Sequence, residues 1–343
     1  MKRVLFLYTG GTIAMDMASA TTAEGRVTST LAPTPKDLCL AIPELRELAD
    51  ISARTLFNHD SADLGPSDWV ELAREIHAAL ERDDVDGVVV AHGTDTMAYG
   101  ASFVSFLLGP LPKPVVFTGA QRPLSAVRSD ARSNVVNATI AATLDLPEVC
   151  IAFSDKVLRG VCATKMDAWG FEAFASPSQE PLVTLGLDVA LESHVRTAAP
   201  LGPFDARVEP RVSLVRVFPG LEPDFALAGL RQGACGLVLA TYGTGTLPGG
   251  RGSLVPVLEE AQAKRIPVLV VSQCPRGYVE LERYEAGLRA KKLGAIDGGA
   301  LTQEAALAKM MIGLGRFRRP EDVVRYLEED TLGERTYLRA VRK

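Results

Sequence analysis

Two periodicities alternate along this chain. Short apolar, β-favouring runs at 4–8, 87–91, 114–118 and 149–153 read as strands, and longer stretches between them repeat apolar positions at helical spacing. Val70, Ala73, Ile76 and Leu80 recur every three or four positions, so a helix capped by Ser67 is expected there. Residues 95–108 and 129–144 read as two further helices. Val88, Val89, Val90 and Ala91 show no polar face, which suits a strand covered on both sides, as strands of parallel sheets are. The alternation predicts an α/β fold whose larger N-terminal domain is a parallel sheet with helices on both faces.

From 187 to 210 the periodicity fades, and prolines stand at 200, 203 and 210. We therefore expect an N-terminal domain over 1–187, a linker over 188–210 and a smaller C-terminal α/β domain over 211–343. In the last, strands are expected at 212–217, 236–241 and 267–271, with helices at 253–264, 303–312 and 321–329. A chain of 343 residues is long enough for two hydrophobic cores.

Composition narrows the partners. The formal charge is -5 and the 37 basic residues are scattered, so no footprint for nucleic acid or an anionic membrane is visible, and a small-molecule substrate is expected. Cys39, Cys150, Cys162, Cys235 and Cys274 are odd in number, widely spaced and mostly set in apolar runs, which reads as reduced, buried thiol usage. His59, His77, His92 and His194 show no metal-ligand spacing, so no metal site is expected. The first apolar run stops at Thr9, too soon for a secretory signal, and no later run is long enough to span a bilayer.

Three of the four N-terminal strands run into unusual polar turns: Tyr8-Thr9-Gly10-Gly11-Thr12, Ala91-His92-Gly93-Thr94-Asp95-Thr96 and Thr118-Gly119-Ala120-Gln121. In a doubly wound sheet such turns converge in the crevice at the carboxyl ends of the strands, where ligands bind. Glycine lets backbone approach a ligand closely, and N–H groups at a helix start hold a developing oxyanion. Taken singly, Thr12 and Asp95 read as helix caps and Lys165 as a solvated surface lysine. Gly10-Gly11 lacks the spacing of a dinucleotide fingerprint, and no Gly-Lys-Ser/Thr follows to make a Walker loop. A Thr hydroxyl, a carboxylate and a lysine together can form an activating relay for a weak hydroxyl nucleophile. Spacing alone does not select that trio.

The motifs Tyr8-Thr9-Gly10-Gly11-Thr12-Ile13-Ala14 and His92-Gly93-Thr94-Asp95-Thr96-Met97 make the chain resemble the bacterial-type L-asparaginases, in particular their cytoplasmic type I branch. The resemblance continues through Thr118 to Gln121, Arg128-Ser129-Asp130, residues 160–165 and Phe174-Ala175-Ser176-Pro177, and more loosely through Tyr242-Gly243-Thr244-Gly245 and Ser272-Gln273-Cys274. It implies that Thr12 is the nucleophile, on a lid, and that Thr94, Asp95 and Lys165 form a second catalytic cluster. Asp60 and Ser61 match positions that hold the substrate's α-amino and α-carboxylate groups, and Gly11, Gly93 and Gln121 lie in the turns expected to line the substrate site. The implied reaction is double displacement on a side-chain amide through a β-aspartyl ester, without metal or organic cofactor, in a cytoplasmic homodimer or dimer of dimers.

Two positions depart from the family pattern. Where the lid of relatives carries a tyrosine, residues 16–27 contain none and Arg26 takes that place; Thr246 stands where type I relatives often have an asparagine. Alanine and threonine precede Tyr242 where allosteric members use an arginine, so little allostery is expected although Thr164 is retained. Alternative readings are the amidase subunit of a tRNA-dependent amidotransferase and a catalytically weak amino-acid-binding member. The first would carry an extra domain before the Thr-Gly-Gly-Thr strand, whereas eight residues precede Thr9; the second would bind asparagine without releasing ammonia.

Overall fold

The computed structural model describes residues 1–11, 13, 20–21, 27–28, 35–250 and 252–337. They form two compact units, Met1–Ser176 with Pro181–Phe204, and Pro177–Glu180 with Asp205–Lys343.

The first unit is built on an eight-stranded sheet. In chain order its strands are β1 (Arg3–Gly10), β2 (Asp50–His59), β3 (Gly87–Ala91), β4 (Val115–Thr118), β5 (Val149–Phe153), β6 (Lys156–Arg159), β7 (Val183–Leu185) and β8 (Val189–Leu191). Across the sheet they lie in the order β8-β7-β6-β5-β4-β3-β1-β2. From β5 to β2 every pairing is parallel, and β6, β7 and β8 extend the sheet by antiparallel pairs. The sheet is therefore mixed, with the expected parallel part running from β5 to the β2 edge.

Period-two alternation decides which helices cover each face. Val4, Phe6 and Tyr8 of β1 join Val89, Val116 and Cys150 in one core with Val135, Ala138 and Ala142 of the helix Ala131–Thr143. The helices Pro66–Leu80 and Met97–Leu108 supply Leu72, Ile76, Phe103 and Leu107 to the burial of the unit. The first of these begins one residue before the Ser67 cap read from the sequence: Gly65 is its N-cap, Pro66 opens it, and the Asp68 carboxylate accepts the Gly65 N–H at 2.8 Å. Ser67 thus sits inside the first turn, because proline at the first helical position loses no hydrogen bond there.

The second unit has a four-stranded, wholly parallel sheet of β9 (Val212–Arg216), β10 (Gly236–Thr241), β11 (Val268–Ser272) and β12 (Ala295–Asp297), in that order. Leu237, Leu239, Val268 and Val270 pack with Leu227, Leu230, Leu258 and Ala261 from the helices Pro223–Arg231 and Val255–Ala263.

Candidate active site

At the carboxyl end of β1 the chain is pressed against its neighbours. Gly10 and Gly11 have φ of +112° and +82°, in the left-handed region that favours glycine. A Cβ on Gly10 would lie 2.1 Å from the His59 carbonyl oxygen, and one on Gly11 would lie 2.6 Å from the Cα and N of Gly93. Gly93 in turn leaves no room toward Ser61, whose Oγ would stand 2.5 Å from a Cβ there. Gly11, Gly93 and Ser61 are thereby stacked from the ends of three different segments. Ser61 is buried, and its carbonyl accepts a hydrogen bond from Thr96 Oγ1 at 2.7 Å. Asp60 is exposed and caps the short turn Ser61–Asp63 by accepting the Ala62 N–H at 3.0 Å. Thr12 and Arg26 lie outside the described residues.

The trio that spacing does not select meets in space. Lys165 emerges from the short strand Thr164–Lys165, which pairs with Phe174–Ala175. Its Nζ donates to Thr94 Oγ1 at 2.9 Å and to Asp95 Oδ1 at 2.7 Å. The lysine side chain is 21% exposed and that of Asp95 is 68% exposed, so the cluster opens to solvent on the carboxylate side. Thr94 Oγ1 donates its own proton to Gln121 Oε1 at 3.2 Å. A hydroxyl held between an ammonium donor and an amide acceptor has its proton aimed in one direction, and the adjacent cation favours negative charge on its oxygen.

Gln121 is itself fixed from below. Asp130, buried at the start of its helix, accepts the backbone N–H groups of Gln121 at 2.9 Å and Arg122 at 3.0 Å, and the Asn134 amide at 3.1 Å. Asn134 passes a second N–H to the Gly119 carbonyl at 2.9 Å. The Gln121 amide also donates to the Gly170 carbonyl at 3.2 Å. Sequence reasoning picks out Arg128-Ser129-Asp130 as a motif without giving Asp130 this work. The pairing of Asp130 and Asn134 at i, i+4 is the sign available, since such residues face the same side of a helix.

His92 stands in its motif without a role of its own in the sequence. It is fully buried beside Phe117, its Nδ1 stands 2.8 Å from the Gly93 carbonyl, and burial pushes its pKa down to about 4. Elsewhere, in the second unit, β10 runs into the turn from Tyr242 to Thr246, closed by the Thr246 N–H on the Tyr242 carbonyl at 2.9 Å. Among the described residues no cluster of His, Cys, Asp and Glu is arranged to hold a metal ion, and no helix is long and apolar enough to cross a membrane. All five cysteines are free thiols, but the expected burial is met by Cys150 and Cys162 only. Cys39 and Cys235 are half-buried and Cys274 is exposed, because it follows the end of β11 rather than lying within it.

Comparison with known proteins gives the family and the fold. The N-terminal asparaginase family model matches residues 3–197, and that of the glutaminase/asparaginase C-terminal domain matches 211–327. L-asparaginase from Thermococcus kodakarensis is 36% identical over 97% of this chain and 99% of its own length, and its solved structure superposes with a TM-score of 0.88 at 35% identity, covering 97% of this chain and 99% of that one. L-asparaginase 1 of Escherichia coli K12 is 35% identical over 98% of each chain. One component of the glutamyl-tRNA(Gln) amidotransferase of Methanothermobacter thermautotrophicus is also 35% identical, over 96% of this chain and 76% of its own length.

Proposed function

The chain belongs to the asparaginase/glutaminase family of amidohydrolases, and we propose that it hydrolyses L-asparagine to L-aspartate and ammonia through an ester on Thr12. One observation carries the reading: the Lys165 ammonium touches both Thr94 Oγ1 and Asp95 Oδ1, next to the close stacking of Gly11, Gly93 and Ser61.

In the first half-reaction the Thr12 hydroxyl oxygen bonds to the side-chain amide carbon and its proton passes to the departing nitrogen. The C–N bond breaks and ammonia leaves. In the second, water attacks the β-aspartyl ester and Thr12 recovers its proton. Thr94, Asp95 and Lys165 move the proton and orient the attacking group, a contribution of about 10² to 10⁴-fold for general acid–base help. Ser61 and Asp60 hold the α-carboxylate and α-amino groups, while Gly11, Gly93 and Gln121 shape the crevice. Arg26 stays protonated at any working pH and so serves as an anchor or a stabilising charge rather than as a base. The protein works in the cytoplasm as a homodimer or dimer of dimers, a reading supported by its resemblance to type I enzymes.

Ammonia release from L-asparagine, D-asparagine and L-glutamine by the parent protein and by Thr12→Ala tests this. Turnover strongest on L-asparagine and abolished in Thr12→Ala is expected; near-normal release from the pure variant overturns the Thr12 ester.

A further inference from the structure

His92 borders the site, is 1% exposed, and has no part in the mechanism above. Its Nδ1 lies 2.8 Å from the Gly93 carbonyl oxygen, which can only accept, so Nδ1 carries the proton of the neutral ring. Burial without a counter-charge keeps the ring neutral.

The other ring nitrogen agrees with that tautomer. Among the described residues His92 Nε2 and Trp69 Nε1 are both buried without a hydrogen-bond partner. They flank the bare Cα of Gly100, where a Cβ would lie 3.2 Å from the imidazole nitrogen and 3.0 Å from the indole nitrogen. Indole N–H only donates, so the neighbour compatible with it is an Nε2 that bears a lone pair instead of a second hydrogen.

A peptide group is planar and trans, and its C=O and N–H point in opposite directions. With the Gly93 carbonyl drawn to the buried imidazole, the Thr94 N–H is turned away from it, and it makes no hydrogen bond among the described residues. We infer that His92 is a positioning residue: its Nδ1–H locks the Gly93–Thr94 peptide so that the Thr94 N–H stands ready as a donor to the oxyanion formed when the amide is attacked. This rests on the proposed amide hydrolysis for its purpose, but the locked tautomer is independent of it.

The test joins a spectrum to kinetics. In ¹⁵N-histidine-labelled protein at neutral pH, the ring resonances lost in His92→Asn should show the Nδ1–H tautomer; an Nε2–H ring overturns the inference, whatever the substrate proves to be. His92→Leu should lower kcat on L-asparagine by about 10- to 100-fold with little change in KM, as expected when a preorganised donor is misaligned. His92→Asn places an amide N–H near the Nδ1 site and should recover most of that loss. Equal loss in the two variants overturns the positioning role, and if His92→Leu does not fold, the tautomer decides it, since an Nε2–H ring overturns the inference by itself. Absence of any asparagine turnover in the parent protein, with the Nδ1–H tautomer present, would count against the amide-hydrolysis reading instead.

Discussion

Replacing Gly93 by alanine puts one methyl group into a contact that has no slack. The added carbon would lie 2.5 Å from Ser61 Oγ and 2.6 Å from Ser61 Cβ, whereas comfortable separations between non-bonded carbons are about 3.5–4.0 Å. About 1 Å of movement is required. Ser61 cannot simply turn aside, because it is 3% exposed and its carbonyl accepts from Thr96 Oγ1 at 2.7 Å and from the Leu64 N–H at 3.2 Å. Overpacking of this kind costs about 1–3 kcal/mol, and a displaced Ser61 should weaken substrate binding, so KM rises. The next atom met is Ser61 N at 3.5 Å, an ordinary contact. Removing the serine side chain should therefore relieve the clash. Urea unfolding of Gly93→Ala, Ser61→Gly and the double variant should give a stabilising coupling of about 1–2 kcal/mol between the two changes, while KM stays high in the double variant because the hydroxyl is gone. Additive losses of stability would refute the packing argument.

The relay predicts that Thr94→Val and Lys165→Met, combined, cost scarcely more in kcat than either alone, since members of one catalytic unit are non-additive; independent multiplicative losses in steady-state kinetics would count against it. Arg159→Met should destabilise the protein by about 3–5 kcal/mol in urea melts without shifting KM, because it strands Glu148, which is 6% exposed and now accepts from Arg159 at 2.6 Å and from the Arg196 N–H at 2.8 Å. His92 has a folded pKa of about 4, below its ordinary 6.5, so the unfolded chain takes up the proton first as pH falls. Its contribution is complete above pH 6.5 and is lost between 6.5 and 4, by up to about 3 kcal/mol; the pH dependence of the urea midpoint should be shallower over that range in His92→Asn, and an unchanged slope would contradict it.

How legible these features are depends on whether a segment's surroundings leave a mark on its own residues. β3 is readable because both of its faces are buried, so Val88, Val89 and Val90 have to be apolar whatever lies above or below. β2 at the sheet edge escapes notice, since Asp50, Ser52 and Arg54 interrupt its apolar positions and most of its residues remain partly exposed. β8 falls within the stretch of fading periodicity for a similar reason: it is exposed throughout, and its pairing with β7, not its composition, makes it a strand. The antiparallel end of the sheet is invisible to an argument built on strand–helix alternation, which detects crossovers and therefore parallel neighbours.

The site divides along the same line. Glycines at 10, 11 and 93 announce tight turns because only their backbone geometry and close contacts explain them, and each proves to face another chain segment within a Cβ's reach. The partners of those turns leave no such mark. Lys165 lies 70 residues from Asp95 and 71 from Thr94, and nothing in a Lys-Met-Asp sequence separates a lysine bound to a hydroxyl from one bathed in water. Asp130 is the sharper case: an acidic residue at a helix start reads as a solvated cap, yet it is buried and spends both oxygens on a neighbouring turn. A buried carboxylate must find donors or lose its charge, and here the donors are two backbone N–H groups of the loop that carries Gln121, together with Asn134. The charge that would be costly alone becomes the means by which the helix Ala131–Thr143 sets the height of Gln121 against Thr94. Asp130→Asn keeps the size but replaces one acceptor oxygen by an N–H that faces the same donors. The physical requirement therefore runs from the loop back to the helix, which is why reading the helix forward from its own sequence does not find it.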